Sequence, residues 1–160
     1  RSLSRPIACL NIGGIANFTA VVPDFDKVLA FDTGPGNMII DGAVRLLTRG
    51  AKDYDKDGKA ARRGVVIDEF LLYLLGHDFL GKVPPKSTGR EEFGAEVYLR
   101  DALASRREHS YNDLIATVTK AVSGSIVTAF KRFIQPDFDI AEVVIAGGGA
   151  MNKTLIKWIE

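Results

Sequence analysis

Three short apolar segments joined by tight turns open the chain, and they constrain its fold more than any other feature. Residues 7–10, 16–22 and 27–31 carry the apolar residues of strands, and Gly13-Gly14 and Pro23-Asp24 mark the turns between them. Strands joined by such short turns pair antiparallel. The pattern therefore predicts an antiparallel meander of three strands.

Helical patterns follow the meander. Residues 37–47, 66–75 and 91–107 have the three- and four-residue spacing of apolar side chains that is typical of helices. Residues 50–64 and 81–89 are polar or rich in glycine and proline, so we expect loops there.

The last third of the chain predicts a long helix and then a strand. Apolar residues recur at helical spacing through residues 111–134, with Asn112 as the expected N-cap and Pro136 just beyond the end. Residues 142–146 form a buried-type strand that runs into three glycines, 147–149, and a further helix follows. Strand, glycine turn and helix is the local layout of many nucleotide sites.

Composition narrows the function classes. The 160 residues suffice for one domain with a core, and the net charge of +1 gives no global basic field for nucleic acid or an anionic membrane. No apolar run reaches the ~20 residues that span a bilayer. We expect the single cysteine, Cys9, to be a small buried residue, in a protein of a reducing compartment such as the cytoplasm.

Asp32 is the candidate catalytic residue. It lies at the expected end of the third strand, directly before a stiff loop that contains Gly34, Pro35 and Gly36. A carboxylate on such a frame can act as a general base. The alternative is an aspartate that only bonds the backbone of its own turn.

Two glycine turns are candidate ligand contacts. Gly13-Gly14 lets the backbone approach a ligand and can direct amides at an anion, although a plain hairpin turn would also use these residues. The glycines at 147–149, followed by Asn152, leave room for a ribose or a flat ring against the backbone. A tight strand-to-helix turn is the alternative for the triplet.

Two further segments carry weaker signals. Residues 84–91 combine hydroxyl groups with Lys86 and Arg90, which suits phosphate or sugar hydroxyls but also an ordinary solvated loop. Residues 54–58 have the alternating carboxylates of a calcium loop, but position 64 is glycine where a bidentate glutamate is required. We therefore expect no calcium site.

Five segments, in the order of one known family, carry a specific resemblance. They span residues 11–152 and read NIGGIANFT, FDTGPGNMIID, YDKDG, PPKSTGREEF and AGGGAMN. By these segments the chain resembles the 1,6-anhydrosugar kinases. The resemblance implies an α/β fold of the actin/hexokinase (ribonuclease H-like) type, with a mixed five-stranded sheet and flanking helices in each of two lobes. Residues 1–160 would form the C-terminal lobe, without the N-terminal lobe and the last strand and helix.

The resemblance also implies an unusual ATP-dependent reaction. Water opens the 1,6-anhydro ring at the anomeric carbon, and O6 takes the γ-phosphoryl group of ATP with Mg²⁺. The expected substrate is 1,6-anhydro-N-acetylmuramic acid, which gives N-acetylmuramic acid 6-phosphate in cell-wall recycling. Levoglucosan, giving glucose 6-phosphate, and a non-catalytic actin-like nucleotide-binding module are the alternatives. A small anhydrosugar is the expected partner, rather than nucleic acid or a membrane, and a homodimer is left open.

The resemblance assigns roles to residues at matching positions. Asp32 is the implied base that activates the water. The implied nucleotide contacts are Gly13, Gly14, Asn17, Gly147, Gly148, Gly149 and Asn152. The implied sugar contacts are Gly34, Gly36 and Asn37, and no residue is assigned to a metal.

We expect the 160 residues alone not to turn over substrate. The chain opens at Arg1 and ends inside an apparent helix at Glu160, and the family's first phosphate loop belongs to the N-terminal lobe. A coupled ADP-release assay with an anhydrosugar checks this expectation, and robust turnover by this chain would contradict it.

Overall fold

A four-stranded mixed sheet forms the centre of the computed structural model, which describes residues 5–23 and 27–160. Its strands are β1 Ile7–Ile12, β2 Ile15–Val21, β3 Val28–Pro35 and β4 Glu142–Ala146. They lie in the order β3-β2-β1-β4, with β2 antiparallel to β1 and β3 and with β4 parallel to β1. The meander and the α/β class are confirmed. The five-stranded sheet and the actin/hexokinase type stay predictions, and Asp24 of the second turn lies outside the described residues.

Helices make up most of the remaining described chain. They are α1 Asn37–Thr48, α2 Lys59–Arg63, α3 Asp68–Leu75, α4 Asp78–Gly81, α5 Arg90–Phe93, α6 Ala95–Tyr98, α7 Arg100–Ala104, α8 Tyr111–Phe133 and α9 Lys153–Ile159. Two 3₁₀ turns, Lys56–Gly58 and Gly148–Met151, precede α2 and α9.

The core lies between one face of the sheet and α8. Alternate strand residues are buried because successive side chains point to opposite faces. The ring of Phe18 lies 5.7 Å from that of Phe130, and Phe31 meets Phe133 edge to face at 5.7 Å. Each such pair adds about 0.5–1.5 kcal/mol beyond burial of its area, so these contacts fix β2 and β3 against the end of α8.

The helix α8 is the core helix of the fold. Its 23 residues are long and apolar enough to cross a membrane, but 67% of the apolar window is buried inside the protein. The hydroxyl of Ser110 accepts the Asp113 N–H at 3.1 Å and caps the helix. The predicted cap at Asn112 is wrong, because Ser110 has the extended backbone of a cap and Asn112 is already helical.

Two other segment predictions also need correction. The expected helix over 91–107 is divided into α5, α6 and α7. The expected loop over 50–64 contains α2, because the Asp55 carboxylate accepts the amides of Ala60 at 2.8 Å and Ala61 at 3.0 Å. This capping gives Asp55 a structural role.

Cys9 is exposed, so the prediction of a buried cysteine is wrong. Its neighbours Ala8 and Leu10 are fully buried against the core. The alternation of the strand therefore turns Cys9 to the opposite face, where Ala30 and Val144 are also exposed.

A tight contact at Gly64 gives a test of the packing between α2 and α8. A β-carbon at Gly64 would lie 2.0 Å from the Asn112 carbonyl oxygen, a backbone atom that cannot rotate away. We expect Gly64→Ala to lower the free energy of unfolding by about 1–3 kcal/mol in urea denaturation. The control is Gly81→Ala, because nothing lies within 4 Å of a β-carbon there. Equal stability of the two variants would contradict the packing described here.

Candidate active site

Asp32 lies inside a strand and not at its end. The strand β3 continues to Pro35, so the predicted strand end at residue 31 was too early. Phe31 is buried against the core and Asp32 is half-buried. Because neighbouring strand residues point to opposite faces, Asp32 lies on the outer face of the sheet.

A β-bulge follows Asp32 directly. Asp32 pairs with Asn17, and Gly34 pairs with Ala16, so Thr33 is an extra residue on β3. The Thr33 hydroxyl donates to the Ala16 carbonyl at 3.1 Å and is buried. Bulges bend a strand and re-aim side chains, and they are frequent beside active sites.

The carboxylate of Asp32 is held by the segment 86–88. Its Oδ2 accepts the Ser87 hydroxyl and the Thr88 N–H, both at 2.9 Å. The Asp32 N–H donates to the Lys86 carbonyl at 3.0 Å. Among the described residues no donor reaches Oδ1, so this oxygen is available to accept a proton.

Lys86 anchors that segment in the core. Its Nζ donates to the carbonyls of Phe79 at 3.2 Å and Leu80 at 3.4 Å, and it lies 4.7 Å from the centre of the Phe79 ring. Burial lowers the pKa of Lys86, with the nearby Arg132 and Lys82 acting in the same direction. The interpretation of Lys86 as a phosphate or sugar contact is therefore wrong.

The Gly13-Gly14 turn docks on the start of α1. The Gly13 carbonyl accepts the Asn37 N–H and the Gly14 carbonyl accepts the Gly36 N–H, both at 2.8 Å. A β-carbon at Gly36 would lie 2.5 Å from the Gly13 oxygen, which explains the glycine there. Gly14 is exposed, and its N–H has no acceptor within the described part of the chain. One amide of the turn is thus open to a ligand.

Asn37 joins the two glycine turns. Its side-chain amide donates to the Ile12 carbonyl at 3.3 Å. A β-carbon would lie 3.3 Å from Asn37 Nδ2 at Gly148 and 3.2 Å from Asn37 Oδ1 at Gly149. Gly147 has φ +84°, and a β-carbon there would lie 2.6 Å from the Ile12 oxygen. The structure therefore brings the triplet against the end of β1, beside the other turn.

Gly34 has a packing role. It is buried, and a β-carbon there would lie 2.6 Å from the Leu80 side chain. Gly36 is buried as well. Their assignment as sugar contacts stays a prediction.

A row of cross-strand pairs connects Asp32 to the triplet. Asp32 pairs with Asn17, Asn17 with Asn11, and Asn11 with Ala146, the residue before Gly147. With strands spaced about 4.8 Å apart, the row is about 14 Å long. Asp32 thus lies at one end of this polar row on the outer face, and Ala146, the residue before the glycine triplet, lies at the other.

A cleft of about 450 Å³ opens beside the triplet. It is lined by Asn37, Ile40, Asp41, Tyr54, Asp55, Lys56, Asp57, Gly148, Met151 and Asn152. Asn152 caps α9, since its Oδ1 accepts the Leu155 N–H at 3.0 Å. Tyr54 and Met151 are 58% and 74% exposed and offer apolar surface.

Sequence reasoning missed part of this wall. Tyr54 belongs to the YDKDG segment, which contributes to the family resemblance but to which no ligand contact is assigned, and Met151 follows the glycine triplet. Asp41 lies one helical turn after Asn37, and this spacing was the available signal. Burial raises the pKa of the Asp41 carboxyl, while the Arg45 guanidinium opposes this shift.

Comparisons with known proteins agree with these motifs. A sequence model of the family Anhydro-N-acetylmuramic acid kinase matches residues 2–160. An anhydro-N-acetylmuramic acid kinase of Bacillus cereus (strain G9842) is 48% identical over 153 residues, which cover 94% of this chain and 39% of the relative. One of Caldanaerobacter subterraneus subsp. tengcongensis is 47% identical over 165 positions, which cover 100% of this chain and 41% of the relative.

A Bacillus anthracis protein of the same name is 45% identical over 153 residues, which cover 94% of this chain and 39% of the relative. The chain thus spans 39–41% of the length of these curated relatives. Because the family pattern matches nearly the whole chain and the identities approach one half, the chain belongs to the anhydro-N-acetylmuramic acid kinase family.

Proposed function

We propose that residues 1–160 are the second lobe of a two-lobed kinase that opens 1,6-anhydro-N-acetylmuramic acid and phosphorylates its O6 with ATP. The family and the names of the relatives support a kinase. The mixed sheet with flanking helices is compatible with a kinase ATPase lobe. The observation that carries the proposal is Asp32, held through Oδ2 with Oδ1 open and paired with Asn17 on the strand that follows the Gly13-Gly14 turn.

Asp32 is the general base of the proposed reaction. Its Oδ1 takes one proton of a water molecule as the water oxygen bonds to the anomeric carbon and the bond from that carbon to O6 breaks. The freed O6 then bonds to the γ-phosphorus, and ADP leaves with the electrons of the broken phosphoanhydride bond. A carboxylate suits this role because it also favours the positive charge that develops at the anomeric carbon.

The cleft beside the triplet suits the nucleoside of ATP. Gly148 forms part of the wall without a side chain, and exposed Tyr54 and Met151 provide apolar surface for a flat ring. The open Gly14 amide lies at the neighbouring turn, where a phosphate oxygen would find a donor.

Mg²⁺ would be bound at this site by the phosphates of ATP together with few protein groups. Within residues 5–23 and 27–160, no three histidine, cysteine, aspartate or glutamate side chains form a metal-binding group. Mg²⁺ is usually held by one or two carboxylates and by substrate phosphates. When bound, it would neutralise charge on the transferring phosphoryl group.

Replacing Asp32 tests the base. We expect Asp32→Asn in the complete gene product to lower kcat by about 10²–10⁴-fold, because the amide cannot take the proton. ATP affinity should not change, since Asp32 lies at the far end of the row from the triplet. ADP release with 1,6-anhydro-N-acetylmuramic acid, and calorimetric ATP binding, measure the two quantities.

The matched control is Asp139→Asn. The Asp139 side chain is 95% exposed and forms an ion pair with the exposed Arg5 at 3.8 Å, away from the site. It should leave turnover unchanged. Turnover by Asp32→Asn at the wild-type rate would reject the assignment of the base.

Filling the cleft tests the nucleotide site. Gly148 is exposed on the cleft wall, and a β-carbon there would approach the Asn37 side-chain amide at 3.3 Å and meet no core atom. The side chain of Gly148→Val would therefore occupy ligand space. We expect the Kd for ATP to rise about tenfold or more, a loss of about 1.4 kcal/mol. Gly81→Val serves as the control, since that position is open and outside the cleft wall. Equal ATP affinity of both variants would place the nucleoside elsewhere.

A further inference from the structure

The segment 86–88 is the motif whose purpose the proposed function leaves open. Its Lys86 carbonyl accepts the Asp32 N–H, so the segment lies alongside β3. Its Ser87 hydroxyl and Thr88 N–H both reach Oδ2 of Asp32 at 2.9 Å. The segment thus contacts the backbone and the side chain of the same residue.

We propose, on the basis of the proposed function, that Ser87 is a positioning residue which, together with the Thr88 amide, orients Asp32 so that Oδ1 takes the proton from water. The terminal torsion of an aspartate has a broad, two-fold profile. Without the two donors the carboxylate can rotate and present either oxygen. With both donors on Oδ2, that oxygen holds the carboxylate in place and Oδ1 is left to accept the proton.

The segment is itself held at both ends. The Lys86 ammonium is fixed by two main-chain carbonyls and two aromatic rings in the core. The Thr88 hydroxyl donates to the Glu92 carboxylate, which lies 3.7 Å from the Lys82 ammonium. Because these anchors do not involve the Ser87 side chain, removing its hydroxyl should leave the segment in place.

Three variants of the complete gene product test the inference. In Ser87→Ala we expect kcat to fall about tenfold, the loss of one hydrogen bond to a charged group, with the KM for ATP unchanged. Ser87→Thr keeps a hydroxyl and should restore the rate. Ser105→Ala is the control, because the Ser105 hydroxyl donates to Ala102 in α7 and does not reach Asp32.

The outcomes separate this inference from the proposed function. If the wild-type protein phosphorylates no anhydrosugar, the proposed function fails. If the wild type is active and Asp32→Asn is fully active as well, the assignment of the base fails, and the positioning role fails with it. If the wild type is active and Asp32→Asn is not, an unchanged kcat in Ser87→Ala overturns the positioning role alone. A raised KM for sugar at unchanged kcat would also overturn it, since Ser87 would then be a substrate contact.

Discussion

The arrangement of the site depends on Asn37, the first residue of α1. Its backbone amide binds the Gly13 carbonyl at 2.8 Å and its side chain binds the Ile12 carbonyl at 3.3 Å. The same side chain lies so close to Gly148 and Gly149 that a β-carbon on either would come within 3.2–3.3 Å of it. One residue therefore fixes the start of a helix, the hairpin between β1 and β2, and the turn after β4. These parts lie far apart in the sequence, and the cleft exists because they meet here.

The sequence was most informative where the local pattern alone determines the structure. The meander and α8 could be predicted because apolar periodicity reports which face is buried. The strand before the glycine triplet was also predicted, but its expected burial is wrong, because four of the five residues of β4 are exposed. The bulge at Thr33 could not be predicted, since it depends on the pairing of β3 with β2. The sequence also placed Asp32 at a strand end, although pairing with β2 extends β3 to Pro35. It placed Cys9 in the interior, although strand alternation directs its side chain to the outer face of the sheet. Both positions depend on how the strands pair in the sheet.

Some site residues could be identified from the sequence, and others could not. The glycine turns were recognisable because glycine has a distinct backbone freedom. The inward direction of Lys86 was not, because a lysine among prolines and hydroxyl residues reads as a solvated loop. Only the folded chain shows that its ammonium lies over the Phe79 ring and donates to main-chain carbonyls. Likewise, the hydrogen bonds from 86–88 to Asp32 join residues more than fifty positions apart.

The exposed thiol of Cys9 has a practical consequence. Cys9 lies two residues before Asn11 on β1, and both side chains point to the outer face of the sheet. Two strand residues span about 6.6 Å, so a fluorophore attached to this sulfur would lie beside the polar row. The chain contains one cysteine, and labelling needs no engineered site. Ligand entry on this face could then be followed by emission from a single native position of this chain.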